Sequence, residues 1–255
     1  MAVHNEADIL QQNIDWYYER GFQTVVVDNC STDGSYEICQ KALAEGKISV
    51  LDTVETNDYA WDVILDKLVS TVKSVNPDWL MLTAPDEFFE TASGDDLKQS
   101  MLDDIKSGYN IMKFFNMEFW MTEADDMNVI NSLKRIQHYS CFDVDMYRAY
   151  PLLDGLDLKT YSGHKPAFKN PFYANPSKRI YISRHYKLRN IQQAAYKVKR
   201  IRPTQKSPNT NVHYLNFSGN QSEFLVPSSQ LHHYKEDHVW YFDCVYDGRR
   251  GFKPK

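Results

Sequence analysis

The sequence predicts an α/β fold in which a mostly parallel central sheet is flanked by helices and followed by an irregular or helical C-terminal extension. Two observations carry this expectation. Short apolar runs alternate with helical patterns as far as Val75, and the opening elements follow the order β-α-β-α-β. Two apolar runs, Val25-Val26-Val27 and Trp79-Leu80-Met81-Leu82, lead into acidic residues, Asp28 and then Asp86-Glu87. Open α/β sheets bind ligands in the crevice outside the carboxyl ends of their strands. Two acid-tipped strands in one parallel sheet would therefore converge on one crevice.

Met1-Ala2-Val3-His4 reads as the tail of a strand, and Asn5 as a helix N-cap with Asp8 three residues on. Ile9, Leu10, Ile14 and Tyr17 give that helix one apolar face, and Gly21 suits its C′ position. The strand Thr24–Val27 follows, then a polar turn from Asp28 to Ser35. Asp28 and Asn29 stand where a base or ribose could be held, yet such residues also bond their own backbone in turns. Asp33 can likewise fix the turn or face a ligand. A second helix carries Ile38, Cys39, Ala42 and Leu43 and stops near Gly46, and Ile48–Leu51 is the next strand. From Tyr59 to Val75 the residues Trp61, Ile64, Leu65, Leu68, Val69 and Val72 form one stripe, which Pro77 ends.

After Trp79–Leu82, Asp86 and Glu87 would point to opposite faces of an extended chain. Asp86 is expected to reach a cation or phosphate while Glu87 braces neighbouring backbone. Leu97–Ile105 predicts a helix closed by Gly108, then a strand over Ile111–Phe115. Glu118, Glu123, Asp125 and Asp126 next crowd a stretch with Phe119, Trp120 and Met121. That mixture suits an acceptor site with a general base, or a charged surface loop. Tyr139 to Pro176 resolves into no elements. Order returns with a strand at Lys178–Ser183 and a helix opened by Asn190 and Gln193. Lys187, Arg189, Lys197, Lys199, Arg200 and Arg202 make this the most basic part of the chain, where a helix N-terminus and arginine can hold a phosphate.

Composition narrows the partners. A net charge of −5 disfavours nucleic acid. Seventeen Tyr and five Trp supply flat rings with polar edges, suited to stacking on sugars or bases as well as to an aromatic core. Cys30, Cys39, Cys141 and Cys244 form no metal-type spacing. No signal peptide or membrane-spanning run stands out, so a reducing, cytoplasmic setting is expected, with room for peripheral membrane association.

Several motifs, in order, resemble the family 2 glycosyltransferases with the GT-A, Rossmann-like fold, most closely the bacterial and viral branch with a DEF motif. They are Val3-His4-Asn5-Glu6-Ala7-Asp8, Val27 to Gly34, and Asp78-Trp79 leading to Asp86-Glu87-Phe88. Ser162-Gly163-His164 and His185-Tyr186-Lys187-Leu188-Arg189 with Lys197-Val198 follow. The resemblance implies a domain over 1–202, its nucleotide-sugar part about 1–115 and its acceptor and metal part about 116–202, with 203–255 packing on it. It also implies transfer from a nucleotide-sugar donor, such as a UDP-sugar, to a glycan or polysaccharide acceptor. Asn5, Glu6, Asp28, Asn29 and Asp33 would line the donor site, and Arg189 and Lys197 would neutralise the departing diphosphate. Asp86, with His185 and His164, would hold a divalent cation, Mn²⁺ or Mg²⁺. An inverting displacement needs one base, for which Glu123, Asp125 and Asp126 are candidates, with Asp154 and Asp157 behind them.

Two departures qualify the resemblance. Ala84 replaces the first acid of the family's DxD motif. The family's first strand also normally extends several residues upstream of Met1. The Ala84 replacement supports an alternative, a nucleotide-sugar- or glycan-binding protein that has lost catalysis. A nucleotidyltransferase ranks lower, because His4-Asn5-Glu6-Ala7 is no Gly-rich phosphate loop.

Overall fold

The computed structural model describes residues 1–56, 60–159, 163–170, 173–204, 224–247 and 251–254; side chains at 143–145, 198–204, 244–247 and 251–254 are not described. Tyr59, Ser162, the histidine at 213 and the side chains of Lys199, Arg200 and Arg202 therefore lie outside the described set. The chain forms two compact units, one of Met1–Phe114 with Asp145–Ser183, the other of Phe115–Val144 with Arg184–Lys255.

The first unit opens with strand β1 (Ala2–Val3), helix α1 (Ala7–Glu19), β2 (Val25–Asp28), α2 (Ser35–Ala44) and β3 (Val50–Thr53). The three strands make a parallel sheet in the order β1-β2-β3, with Val3 opposite Asp28 and Asp28 opposite Thr53. This is the mixed α/β architecture and parallel β-α-β-α-β order that the sequence predicts. All four residues of β2 are buried, as expected of the middle strand of a sheet covered by helices. α1 buries Ile9, Leu10, Asn13, Ile14 and Tyr17, a stripe at helical spacing. Helix α3 (Trp61–Lys73) buries Ile64, Leu65, Leu68 and Val72 and packs against β2. Burying each such aliphatic side chain is worth roughly 1.5–3 kcal/mol relative to exposure.

The N-cap of α1 is Glu6, not Asn5. Asn5 adopts a left-handed backbone (φ 53°), and its Oδ1 accepts from Thr32 N at 2.7 Å instead of capping the helix. β3 sits two residues later than expected, because Ile48 and Ser49 belong to the connection and only Val50–Thr53 pair with β2.

A larger correction concerns β4 (Trp79–Met81). It does not join the parallel sheet. It pairs antiparallel with the end of β7 (His138–Pro151), with Trp79 opposite Pro151 and Met81 opposite Ala149. The acid-tipped strands therefore belong to different sheets. After a tight turn, β5 (Glu87–Thr91) is buried along its whole length, followed by α4 (Leu97–Lys106). β6 (Met112–Trp120), the short α5 (Ser132–Arg135), β8 (Tyr181–His185) and α6 (Ile191–Thr204) come next. A 3-10 turn at Ser228–Gln230 and β9 (His232–His233), β10 (Cys244–Asp247) and β11 (Gly251–Pro254) complete the chain. Tyr17, Phe89, Met101, Phe114, Ala149 and Tyr181 form one core of the first unit; Val27, Ile64, Leu65, Leu82 and Tyr150 form another.

Between β4 and β5, Ala84-Pro85-Asp86-Glu87 reverses the chain, with Glu87 N donating to Ala84 O at 3.1 Å. α1 grips this reversal. Asn13 Nδ2 and Tyr17 OH both donate to Glu87 O, at 2.8 and 3.0 Å, and Trp16 Nε1 donates to Phe89 O at 3.1 Å. The Glu87 carboxylate accepts from Ala84 N through Oε2 (3.0 Å) and from Arg148 through Oε1, and both partners of that ion pair are buried. Removing one partner of a buried pair leaves an uncompensated charge and costs about 3–5 kcal/mol. Arg148→Met is thus expected to lose about that much stability in urea denaturation. Glu87→Gln combined with Arg148→Met should recover part of the loss, and an unchanged midpoint in Arg148→Met would remove the pair from this role.

Candidate functional site

The first unit places its distinctive polar groups at the carboxyl end of β2. Asp28 is 3% exposed there. Its Oδ2 accepts from Ser31 N at 3.0 Å, while Oδ1 meets no hydrogen-bond partner among the described residues. A buried carboxylate oxygen without a donor is costly, because buried polar groups are ordinarily paired. Asn29 is held on two sides: Thr56 Oγ1 donates to its Oδ1 at 3.0 Å, and His4 Nδ1 lies 2.5 Å from its carbonyl oxygen.

The other predicted donor-site residues knit two loops together. Asn5 N donates to Ser31 Oγ (3.1 Å), Glu6 N to Ser35 Oγ (2.9 Å) and Ala7 N to Asp33 Oδ2 (3.0 Å). Asp33 Oδ1 accepts from Ser35 N and Oγ at 3.0 and 2.6 Å. Asp33 Oδ2 therefore supplies the cap that Asn5 was expected to give, from across the loop, while Oδ1 is engaged at the start of α2. Glu6, at 7% exposure, is also buried in this junction. The sequence assigns no role to Ser35, Thr56 or His4, whose parts come from contacts between loops distant in sequence. Asn13 and Arg148 carried a legible signal, a polar residue on an apolar helix stripe and a charge inside the run Met146-Tyr147-Arg148-Ala149-Tyr150.

Asp86 is buried at the turn between β4 and β5, and Glu87 beside it braces the neighbouring backbone, as expected of that residue. His164 is exposed, its carbonyl accepting from Tyr147 N at 2.9 Å. Asp154 is exposed, and Asp157 Oδ1 accepts from Lys159 N at 2.7 Å.

In the second unit, His185 Nδ1 lies 2.9 Å from Glu118 Oε1, and Lys187 Nζ lies 3.5 Å from Glu118 Oε2 and 4.3 Å from the Trp120 ring centroid. Arg189 is wholly buried and donates to the Tyr186 carbonyl at 2.9 Å, a bracing position. Lys197 Nζ donates to Lys187 O at 3.2 Å. The three base candidates separate clearly. Glu123 accepts from Ser228 Oγ and N, and these bonds hold its carboxyl below the usual range. Asp126 closes a turn with Asn128 at the surface. Asp125 is half-buried, and burial pushes its carboxyl up despite bonds from Thr122 N and Oγ1. A raised carboxyl is the better proton acceptor.

Among the described residues no three His, Cys, Asp or Glu side chains gather to hold a metal ion. The donor set therefore does not suit a centre built by protein ligands alone. A single carboxylate such as the buried Asp86 could contribute to a hard-cation site only together with waters and a ligand's phosphates.

No family model matches the chain, and no curated protein matches it. Its fold is similar to the crystal structure of S. aureus TarS 1-349, at a TM-score of 0.41 and 12% identity over 81% of this chain and 65% of that one. S. aureus TarS matches at 0.39 and 12% over 84% and 41%, and TarS 1-349 in complex with UDP at 0.38 and 12% over 81% and 65%. The chain spans less than two thirds of the length of each.

Asp33 yields a pH test. Burial alone would raise its carboxyl, but bonds from Ser35 and Ala7 outweigh burial and hold it below the ordinary value. A carboxyl depressed in the folded state contributes stability above its unfolded pKa of about 3.9, and that contribution fades as pH falls towards the folded value. Asp33→Asn should lower the melting temperature at pH 7 and flatten its decline below about pH 4. An acid limb identical to wild type would contradict this.

Proposed function

We propose that the chain is a GT-A glycosyltransferase that moves a sugar from a nucleotide-sugar donor, such as a UDP-sugar, to a glycan acceptor. The observation that carries this reading is Asp28, a buried carboxylate at the tip of the middle strand, with one oxygen lacking a partner among the described residues. A base or ribose donor group would satisfy that oxygen. The ordered motifs resembling family 2 glycosyltransferases, from Asn5-Glu6 to Lys197, give the donor its chemical class.

In this reading Asn29 lines the nucleotide pocket, while Asn5, Glu6 and Asp33 hold its wall. Asp86 faces the diphosphate, with a divalent cation, Mn²⁺ or Mg²⁺, supplying positive charge to the leaving group. His164 and His185 are the further candidates for contact with that cation. Lys197 adds positive charge for the leaving diphosphate, and Arg189 braces the loop before it. Asp125 takes the proton from the acceptor hydroxyl as its oxygen attacks the anomeric carbon and the bond to the diphosphate breaks, inverting the centre. The setting is cytoplasmic. Cys30 and Cys39 are free thiols, which suits a reducing compartment.

A thermal-shift panel of UDP-, GDP- and dTDP-sugars, with and without Mn²⁺ or Mg²⁺, tests the reading. Ligand at about a hundred times its Kd stabilises the native state by about 2.7 kcal/mol. One nucleotide class should raise the melting temperature of wild type and lose the effect in Asp28→Asn. Asp86→Ala should abolish transfer or donor hydrolysis, and Asp125→Asn should slow transfer by about 10²–10⁴-fold while leaving donor binding intact. No shift with any nucleotide would overturn the proposal. Binding without turnover in wild type, given Ala84 in the motif, would favour the noncatalytic alternative.

A further inference from the structure

We propose that His138 and His233 form a two-histidine site for a borderline divalent cation, such as Zn²⁺ or Ni²⁺, where β9 pairs with β7. The two residues stand directly opposite one another in an antiparallel pair. Residues so placed have Cβ atoms about 4.5–5.5 Å apart, and their ring centroids are 4.9 Å apart at 81°. Zinc–imidazole bonds of about 2.0–2.1 Å can span such a pair. His233 is exposed, and χ2 of histidine is a broad torsion, so its ring can turn to aim a nitrogen at a shared ion.

His138 supplies the independent observation. Its Nδ1 is buried and meets no hydrogen-bond partner among the described residues. An orphaned polar atom of this kind is explained by a bound water or ion, and a neutral imidazole beside a second imidazole is chemistry that borderline metals select. Burial and then His233 make protonation of His138 harder, against the pull of Asp125 and Glu123. The Arg135 guanidinium is occupied in part by the carbonyls of Val129 and Arg189. Two imidazoles with waters completing the shell give a modest, reversible site, unlike a four-ligand structural one. The proposal is independent of the transfer chemistry.

Isothermal titration of chelator-stripped full-length protein with ZnCl₂ and NiCl₂ tests it. Wild type should bind one equivalent. His233→Ala, an exposed change that should leave the metal-free melt unaltered, should weaken binding by at least about tenfold, the least expected when even an indirect partner of a ligand is lost. The His138→Ala and His233→Ala double variant should bind no more tightly. Equal affinity in wild type and His233→Ala would overturn the site, as would no heat of binding at millimolar metal, which would leave a water as the partner of Nδ1.

Discussion

Burying the carboxylate of Glu87 is the constraint on which the first unit turns. A carboxylate in the interior is tolerated only when paired and hydrogen-bonded. Arg148 and the Ala84 amide meet that need, from β7 and from the start of the same chain reversal. The Glu87 carbonyl, in turn, is taken by Asn13 and Tyr17 of α1. One residue therefore ties α1, the turn and β7 into a single arrangement. Asp86 is the neighbour of that residue, so its position follows from that network.

A similar economy holds at the end of β2. The loops after β1 and after β2 bond each other through Asn5, Ser31, Asp33 and Ser35, leaving the backbone of both well satisfied. Against that background the orphaned Oδ1 of Asp28 stands out. Its surroundings are built to be rigid, and rigid surroundings keep an unpaired acceptor from finding a partner by local adjustment. The cost is offset when a ligand donates to it. On the proposed function, a strand end that could have been an ordinary turn serves as a recognition site.

Much of the first unit was legible because its helices carry clean apolar stripes and its middle strand is an uninterrupted β-branched run as far as Val27. α1 and α3 and the middle strand follow directly from that periodicity. The strands that escaped were those with buried charge. β5 reads Glu-Phe-Phe-Glu-Thr and is buried on every residue, so no alternation marks it. β6 alternates only in its first half and then buries Asn116 and Glu118 beside aromatics, which made its second half look like a charged loop. The antiparallel pairing of β4 was illegible for another reason: a continuous apolar run reports burial on both faces, not the direction of its neighbour. At the site, Asp28 and Asp86 were visible as acids ending apolar runs. The separation of Glu123, Asp125 and Asp126 rests on Ser228, Thr122 and Asn128 partners that no local pattern encodes.

The role of Asp28 decides what this fold is for. The most direct measurement is a crystal structure of the protein soaked with whichever nucleotide sugar stabilises it. A base or ribose donor atom is expected within hydrogen-bond distance of Asp28 Oδ1, with the Asn5–Thr32 and Ala7–Asp33 bonds intact. A nucleotide bound away from the end of β2, or one that leaves Asp28 Oδ1 without a partner, would contradict it.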